Sequence, residues 1–257
     1  MRTATYGATG GTLVILTGAS RGLGAALALA LCRPGTHLAT LSRHKHTRLD
    51  AHAAANGTVV QQHPADLTDA AETTRAIDRL FATLPRNADR YCLINNAGTV
   101  DPIGPSGTLR QDDIAQALAL NVAAPMLLTS RFIAATAGLR ADRRVLNISS
   151  GAGRKPMAGW SVYCSTKAAI DMYTRSVKLE QGDTGVRIVS LAPGVIDTPM
   201  QARIRASQPE AFPALDNFKA MHATGQLSSP DDVAARIVAY LERDDFGQTE
   251  IDDIRNY

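Results

Sequence analysis

The stretch GWSVYCSTKAAIDM, residues 159–172, places Tyr163 four positions before Lys167, so on a helix the two share one face. Lysine is scarce in this chain, with five lysines against 22 arginines. A free phenol, with a pKa of about 10, yields its proton poorly at neutral pH. A nearby ammonium favours the phenolate and lowers that pKa. A tyrosine tuned in this way can give a proton to a carbonyl oxygen as hydride reaches the carbon, or take one in reverse. A surface tyrosine beside a solvated lysine would show the same spacing, so the surroundings must decide. Ser150 closes the β-rich run RRVLNISS, 13 residues before Tyr163. A hydroxyl at a strand's C-terminal end can hydrogen-bond a carbonyl in the crevice where open α/β sheets bind ligands. Asn121 lies in a helical stretch, where asparagine is a poor choice. It can bond backbone and water at a helix break, or serve as a packing amide.

A second cluster is built for phosphate. TGASRGLG, residues 17–24, follows one apolar β-rich run and opens a helix. Gly18, Gly22 and Gly24 allow a tight turn and close approach of a ligand. The helix start offers free N–H groups and positive potential. In that context the turn reads as a dinucleotide site. The next strand ends Leu41-Ser42-Arg43, without the carboxylate that would bond an NAD ribose and repel a 2′-phosphate. Arg21 and Arg43 can instead grip that phosphate, which points to NADP(H). Two ordinary surface arginines are the alternative.

These side chains need a frame that brings strand ends and helix starts together. Strands are predicted at TLVILT, THLATLSR, TVVQQH, the start of YCLINNAG, RRVLNISS and VRIVSLAPG. Helices are predicted from Ala25 to Cys32, from Thr68 and Asp69 onward with Ile77, Leu80, Phe81 and Leu84 on one face, over 112–138, over 161–181, and from Ser229 to about Arg243. Strand–helix alternation predicts a single α/β domain over residues 1–257, a doubly wound Rossmann fold with helices on both faces of a parallel sheet. Residues 201–227 break the alternation and read as two short helices over the sheet's edge, a small insertion that covers the substrate. A short tail, ending IDDIRNY, follows the last helix and is expected to contribute to the pocket.

Composition narrows the class. At 45% hydrophobic and 20% charged, the chain is an ordinary globular one with a sizeable core. A net charge of +3 is too small to argue for nucleic acid. Cys32, Cys92 and Cys164 are odd in number and lack metal-ligand spacing, which suits reduced thiols in the cytoplasm and no metal. His44 and His46 flank Lys45 in a polar stretch read as a solvated loop. The start MRTATYGATGG lacks the apolar run of a signal peptide. Runs such as GLGAALALALC are too short to span a membrane.

Five ordered motifs together resemble the short-chain dehydrogenase/reductase family over nearly the whole chain. They are TGASRGLG, ADL at 65–67, NNAG at 95–98, the spacing of Asn121, Ser150, Tyr163 and Lys167, and APGVIDT at 192–198. The resemblance implies that Tyr163 is the proton donor and that Ser150 orients the carbonyl. Lys167 would lower the phenol's pKa and hold the nicotinamide ribose, and Asn121 would anchor a water relaying protons to it. Cofactor contacts are implied for Gly18, Ser20, Arg21, Gly22, Leu23 and Gly24. Further ones are implied for Arg43, Asp66, Leu67 and Asn95 with the backbone after it, and, around the carboxamide, for Ile196, Thr198 and Met200. GWSVYCSTKAAIDM, LAPGVIDTPMQ and LERDDFGQTEIDDIRNY also resemble sepiapterin and benzil reductases. That implies a small-molecule vicinal dicarbonyl as substrate, met by Ser150, Gly151, Trp160, Tyr163, Gly194 and Asp253. In the pterin case Asp253 would anchor the amino-pyrimidine end, although two solvated tail carboxylates would read the same way. Trp160 reads either as a wall for a flat aromatic substrate or as core. The loop TVDPIGPSGTLRQDD and residues 202–220 depart from the animal enzymes. A 3-oxoacyl thioester, sugar or steroid substrate, or a non-catalytic dinucleotide sensor, are the alternatives. A homodimer or homotetramer is implied by resemblance alone.

Overall fold

The computed structural model describes residues 10–257; the N-terminal run MRTATYGAT, read for a leader peptide, lies outside the described residues. Seven strands form one parallel sheet: β1 (Thr12–Thr17), β2 (Thr36–Ser42), β3 (Val59–Pro64), β4 (Arg90–Asn95), β5 (Asp142–Ile148), β6 (Arg187–Ala192) and β7 (Ile251–Asp253). Their order is β3-β2-β1-β4-β5-β6-β7, and every pairing is parallel. The chain reverses direction of growth between β1 and β4, which opens a crevice above their C-terminal ends.

Both faces of the sheet are covered, as the unbroken apolar runs require. On one face Val14, Leu16, Ile94 and Leu146 meet α1 (Gly22–Ala30), α2 (Leu49–Ala55) and α9 (Pro230–Glu242). On the other, Leu13, Ile15, Leu93 and Val145 meet α3 (Ala70–Ala82), α5 (Ala124–Thr136) and α6 (Ser161–Gln181). Period-2 alternation within each strand thus divides the core into two halves. Helix starts follow side-chain chemistry. Asp69 accepts from the Glu72 N–H at 2.8 Å, and Ser229 accepts from the Asp232 N–H at 3.0 Å ahead of Pro230.

Five features differ from the sequence expectation. The tail contains β7, a seventh strand. Leu49–Ala55 forms α2, where no helix is predicted. The helix predicted over 112–138 divides into α4 (Gln111–Leu118), a π-turn (Ala119–Ala123) and α5. His46 is buried rather than solvated: Gln62 accepts from its N–H at 2.7 Å, and its Nδ1 accepts from the Arg48 N–H. The run Gln111–Thr136 is long and apolar enough to cross a membrane by length and composition, contrary to the reading that no run is. Its residues Ala124, Leu128 and Phe132 are buried against the sheet.

At the opposite end of the sheet from the crevice, Asp142 bonds the guanidiniums of Arg90, Arg144 and Arg187 at 2.7–2.8 Å. Arg144, 1% exposed, also donates to the Leu241 and Arg243 carbonyls and lies over the Phe246 ring. These bonds join β4, β5, β6 and the end of α9.

Candidate active site

A cavity of about 690 Å³ occupies the crevice, running from the glycine turn after β1 to the end of the chain. At its phosphate-sized end, Gly18 and Gly22 have φ of +72° and +56°. A Cβ at Gly24 would lie 2.0 Å from the Gly18 oxygen, so only glycine permits this turn. The start of α1 has neither a side-chain cap nor an acid in its first turn, leaving its N–H groups for an anion. This end therefore fits a dinucleotide pyrophosphate. Ser20, Arg21, Leu23, Arg43, Asp66 and Leu67 line it, as do Ser42 and His44. Asp66 receives both Thr68 bonds on Oδ1, and those bonds, with Arg43 nearby, hold its carboxyl below the usual range despite partial burial.

The β1–β4 junction is stitched by polar bonds. Thr17 Oγ1 accepts from the Asn96 and Ala97 N–H groups, and Asn96 Nδ2 donates to the Thr17 carbonyl, all at 2.9 Å. Asn96, Ala97 and Gly98 line the cavity; Asn95 does not. That corrects the expectation for Asn95. Strand alternation turns its amide inward, where it donates to Asn147 (2.8 Å) and Thr129 (3.1 Å).

α6 carries the reacting pair. Its buried stripe is Tyr163, Thr166, Lys167, Ile170, Asp171, Thr174 and Val177, a helical face that includes a lysine and an aspartate. The 3₁₀ turn Gly151–Gly153 lies directly on this helix; a Cβ on Gly153 would come within 2.8 Å of the Lys167 carbonyl carbon. This contact sets Ser150, whose side chain hydrogen-bonds Tyr163. Lys167 Nζ donates to the Ile148 carbonyl at 2.8 Å and lies 5.8 Å from the Tyr163 ring centre. Burial brings the ammonium down to about 8, with Asp171 opposing that fall. Burial also pushes the Tyr163 phenol up, the Ser150 bond pulling the other way. The expected lowering of the phenol is therefore corrected: lost hydration of the phenolate outweighs the Ser150 bond.

Asn121 stands in the π-turn, 2% exposed. Its Oδ1 accepts from the Thr99 N–H (2.8 Å), and its Nδ2 donates to the Thr99 carbonyl (2.8 Å) and to Thr166 (3.1 Å). The amide clamps the Thr99 loop to α6 and does not line the cavity. Ile196, Thr198 and Met200 line the cavity, and Thr198 also caps α7 (Pro199–Arg205).

The far end is apolar and aromatic. Trp160, 4% exposed, stacks on Phe212 (4.6 Å) and meets Tyr163 and Phe218 edge-on, each at 5.3 Å. It is both core and cavity wall, so the two readings of this residue coincide. Phe212 lies between α7 and α8 (Leu215–Ala223), and Phe218 lies in α8; these two helices lie over the cavity. Cys164 packs against this cluster without lining the cavity. Gly151, Gly194 and Asp253 line it. So do Arg154, Lys155, Met157 and Arg255, which sequence reasoning did not single out. Arg255 grips Asp253 as a fork, at 2.9 and 2.6 Å, and this bond holds the carboxyl below its usual range.

Comparison with known proteins agrees with this layout. A family model described as short chain dehydrogenase matches residues 12–209. A benzil reductase ((S)-benzoin forming) of Bacillus cereus is 39% identical, over 93% of this chain and 97% of that protein. A sepiapterin reductase of Meriones unguiculatus is 35% identical, over 93% and 95%. A short-chain dehydrogenase from Sphingobium yanoikuyae, solved in complex with NADPH, is 25% identical with a TM-score of 0.72, covering 94% of this chain and 87% of that one.

Proposed function

The chain belongs to the short-chain dehydrogenase family, whose members are oxidoreductases that bind a nicotinamide dinucleotide, and from that premise we propose that it is an NADPH-dependent reductase of vicinal dicarbonyls with Tyr163 as proton donor. The observation that carries this reading is one continuous cavity with a glycine-and-arginine phosphate end, an aromatic end, and the Ser150–Tyr163–Lys167 group between them. A bound reduced nicotinamide supplies hydride. Ser150 and Tyr163 hold the substrate carbonyl oxygen, and the phenol, protonated across neutral pH, releases its proton to that oxygen as negative charge grows there. Lys167, charged below about 8, stabilises the phenolate left behind. Gly22 and the uncapped start of α1 hold the pyrophosphate, and Arg21 and Arg43 take the 2′-phosphate.

The aromatic diketone is favoured over the pterin. Trp160 and Phe218 offer flat apolar walls. Asp253, the one carboxylate at that end among the described residues, already spends both oxygens on Arg255. The similarity to benzil reductases points the same way. The test is steady-state reduction of benzil, sepiapterin and an acetoacetyl thioester with NADPH and NADH. Preference for benzil and NADPH is expected. Turnover of the thioester alone would overturn the substrate assignment, and equal use of NADH would overturn the cofactor assignment.

A further inference from the structure

We propose that the buried carboxylate of Asp171 is a positioning residue for the proton-transfer pair, joining the Ser150 turn, the Lys167 helix and the C-terminal strand in one charged network. This rests on reading Tyr163 and Lys167 as that pair. Asp171 is 6% exposed and follows Lys167 by one helical turn on the buried stripe of α6. Its Oδ1 accepts from Ser149 Oγ and Ser190 Oγ, both at 2.6 Å, and its Oδ2 accepts from Arg154 Nε at 3.2 Å.

Each partner leads to a working part of the site. Ser149 lies between Ile148, whose carbonyl receives the Lys167 ammonium, and Ser150. Arg154 closes the turn that begins at Ser150, lines the cavity, and donates to the Asp252 carbonyl in β7 at 3.0 Å. Its charge is also felt at Asp253, which Arg255 holds. Charges therefore alternate from Lys167 through Asp171, Arg154 and Asp253 to Arg255. Just past β5 the Ser149 hydroxyl, and from β6 the Ser190 hydroxyl, meet Asp171, and among the described residues Lys167 and Arg154 are the cations it faces. The adjacent Asp252 carboxylate is taken up by Tyr240 and Tyr257. A buried carboxylate without such partners would be costly, and a buried lysine without the carboxylate would shed its proton. The arrangement keeps Lys167 an ammonium inside an apolar wall and sets Ser150 by the same bonds.

The charge role makes a prediction that a purely structural staple does not. Asp171→Asn removes the anion and should lower the pH at which Lys167 deprotonates, by about one to three units. Arg154→Gln removes the competing cation and should raise it, by about one unit. With five lysines in the chain, lysine labelled with ¹³C at Cε can be followed by NMR as pH is varied, and the Lys167 signal identified by its loss in Lys167→Arg. This readout needs neither substrate nor turnover. A wild type inactive on every dicarbonyl would sink the functional reading and leave the titration standing. Opposite shifts in the two variants, from a native midpoint of about 8, are expected. Any other pattern overturns the proposal, including two unmoved midpoints. If Asp171→Asn does not fold, Arg154→Gln alone decides, an upward shift supporting the role and none refuting it.

Discussion

Tyr163 and Lys167 are both removed from water, and burial acts on them in opposite senses. It raises the phenol and lowers the ammonium, so the two values move apart and the ammonium is the first to lose its proton. A proton donor needs the phenol intact, and its alternate form needs the ammonium intact. Reduction should therefore fall as pH rises through about 8, where Lys167 loses its charge. A kcat/KM profile with NADPH checks this; a flat profile from pH 6 to 9 would refute it. Tyr163→Phe should leave NADPH binding unchanged and lower turnover by roughly 10²–10⁴, the usual worth of a general acid. Arg43→Ala should raise KM for NADPH about tenfold to a hundredfold with little effect on NADH, from the loss of charged hydrogen bonds of about 1.5–3 kcal/mol. At this scale the sequence was readable where spacing alone brings groups together. Tyr163 and Lys167 meet by helical geometry, and Ser150 by its place at a strand end. Asp171 and Arg154 were not readable, because their contact joins residues 17 positions apart across a turn. Nor was Arg255, which acts by occupying a neighbour.

Among the elements, the glycine turn is the least tolerant. Gly24→Ala should abolish dinucleotide binding, since its Cβ would need space held by the Gly18 carbonyl and Asn96. Fluorescence titration with NADPH measures this, with circular dichroism to verify that the fold persists. Native affinity in that variant would show the turn to be more plastic than its contacts imply. The long strands and amphipathic helices were legible because apolar period and capping residues agree along them. β7 was not. Ile251-Asp252-Asp253 carries two acids and no alternating apolar set, and it is a strand because β6 presents an open edge and because Tyr240 and Tyr257 bond Asp252. α2 escaped notice for a similar reason, as LDAHAAA is short and buries only Leu49 and Ala53. The π-turn holding Asn121 was visible only as an asparagine out of place in a helix.

Taken whole, the molecule keeps chemistry at one end of its sheet and anchorage at the other. Asp142 binds three guanidiniums there, and Arg144 depends on it for charge balance in a buried setting. Asp142→Ala should destabilise the protein by about 3–5 kcal/mol, the cost of stranding a buried charge. Urea unfolding would read this, and a loss below 1 kcal/mol would show that the carbonyls of Leu241 and Arg243 suffice. The guanidiniums hold the Asp142 carboxyl below its ordinary value against the opposing effect of burial. Its contribution is therefore full above about pH 4 and lost as pH falls through the depressed folded value. The variant should show the shallower acid limb. The seam between β1 and β4 has a consequence of another kind. Thr12 stands beside Arg90 there, strands far apart in sequence, and the crevice that receives the dinucleotide lies over the same seam. Parting the two halves of the sheet means expelling whatever spans them. Occupancy should then slow unfolding and shield the chain from proteases, so that its lifetime in a cell would track the supply of cofactor.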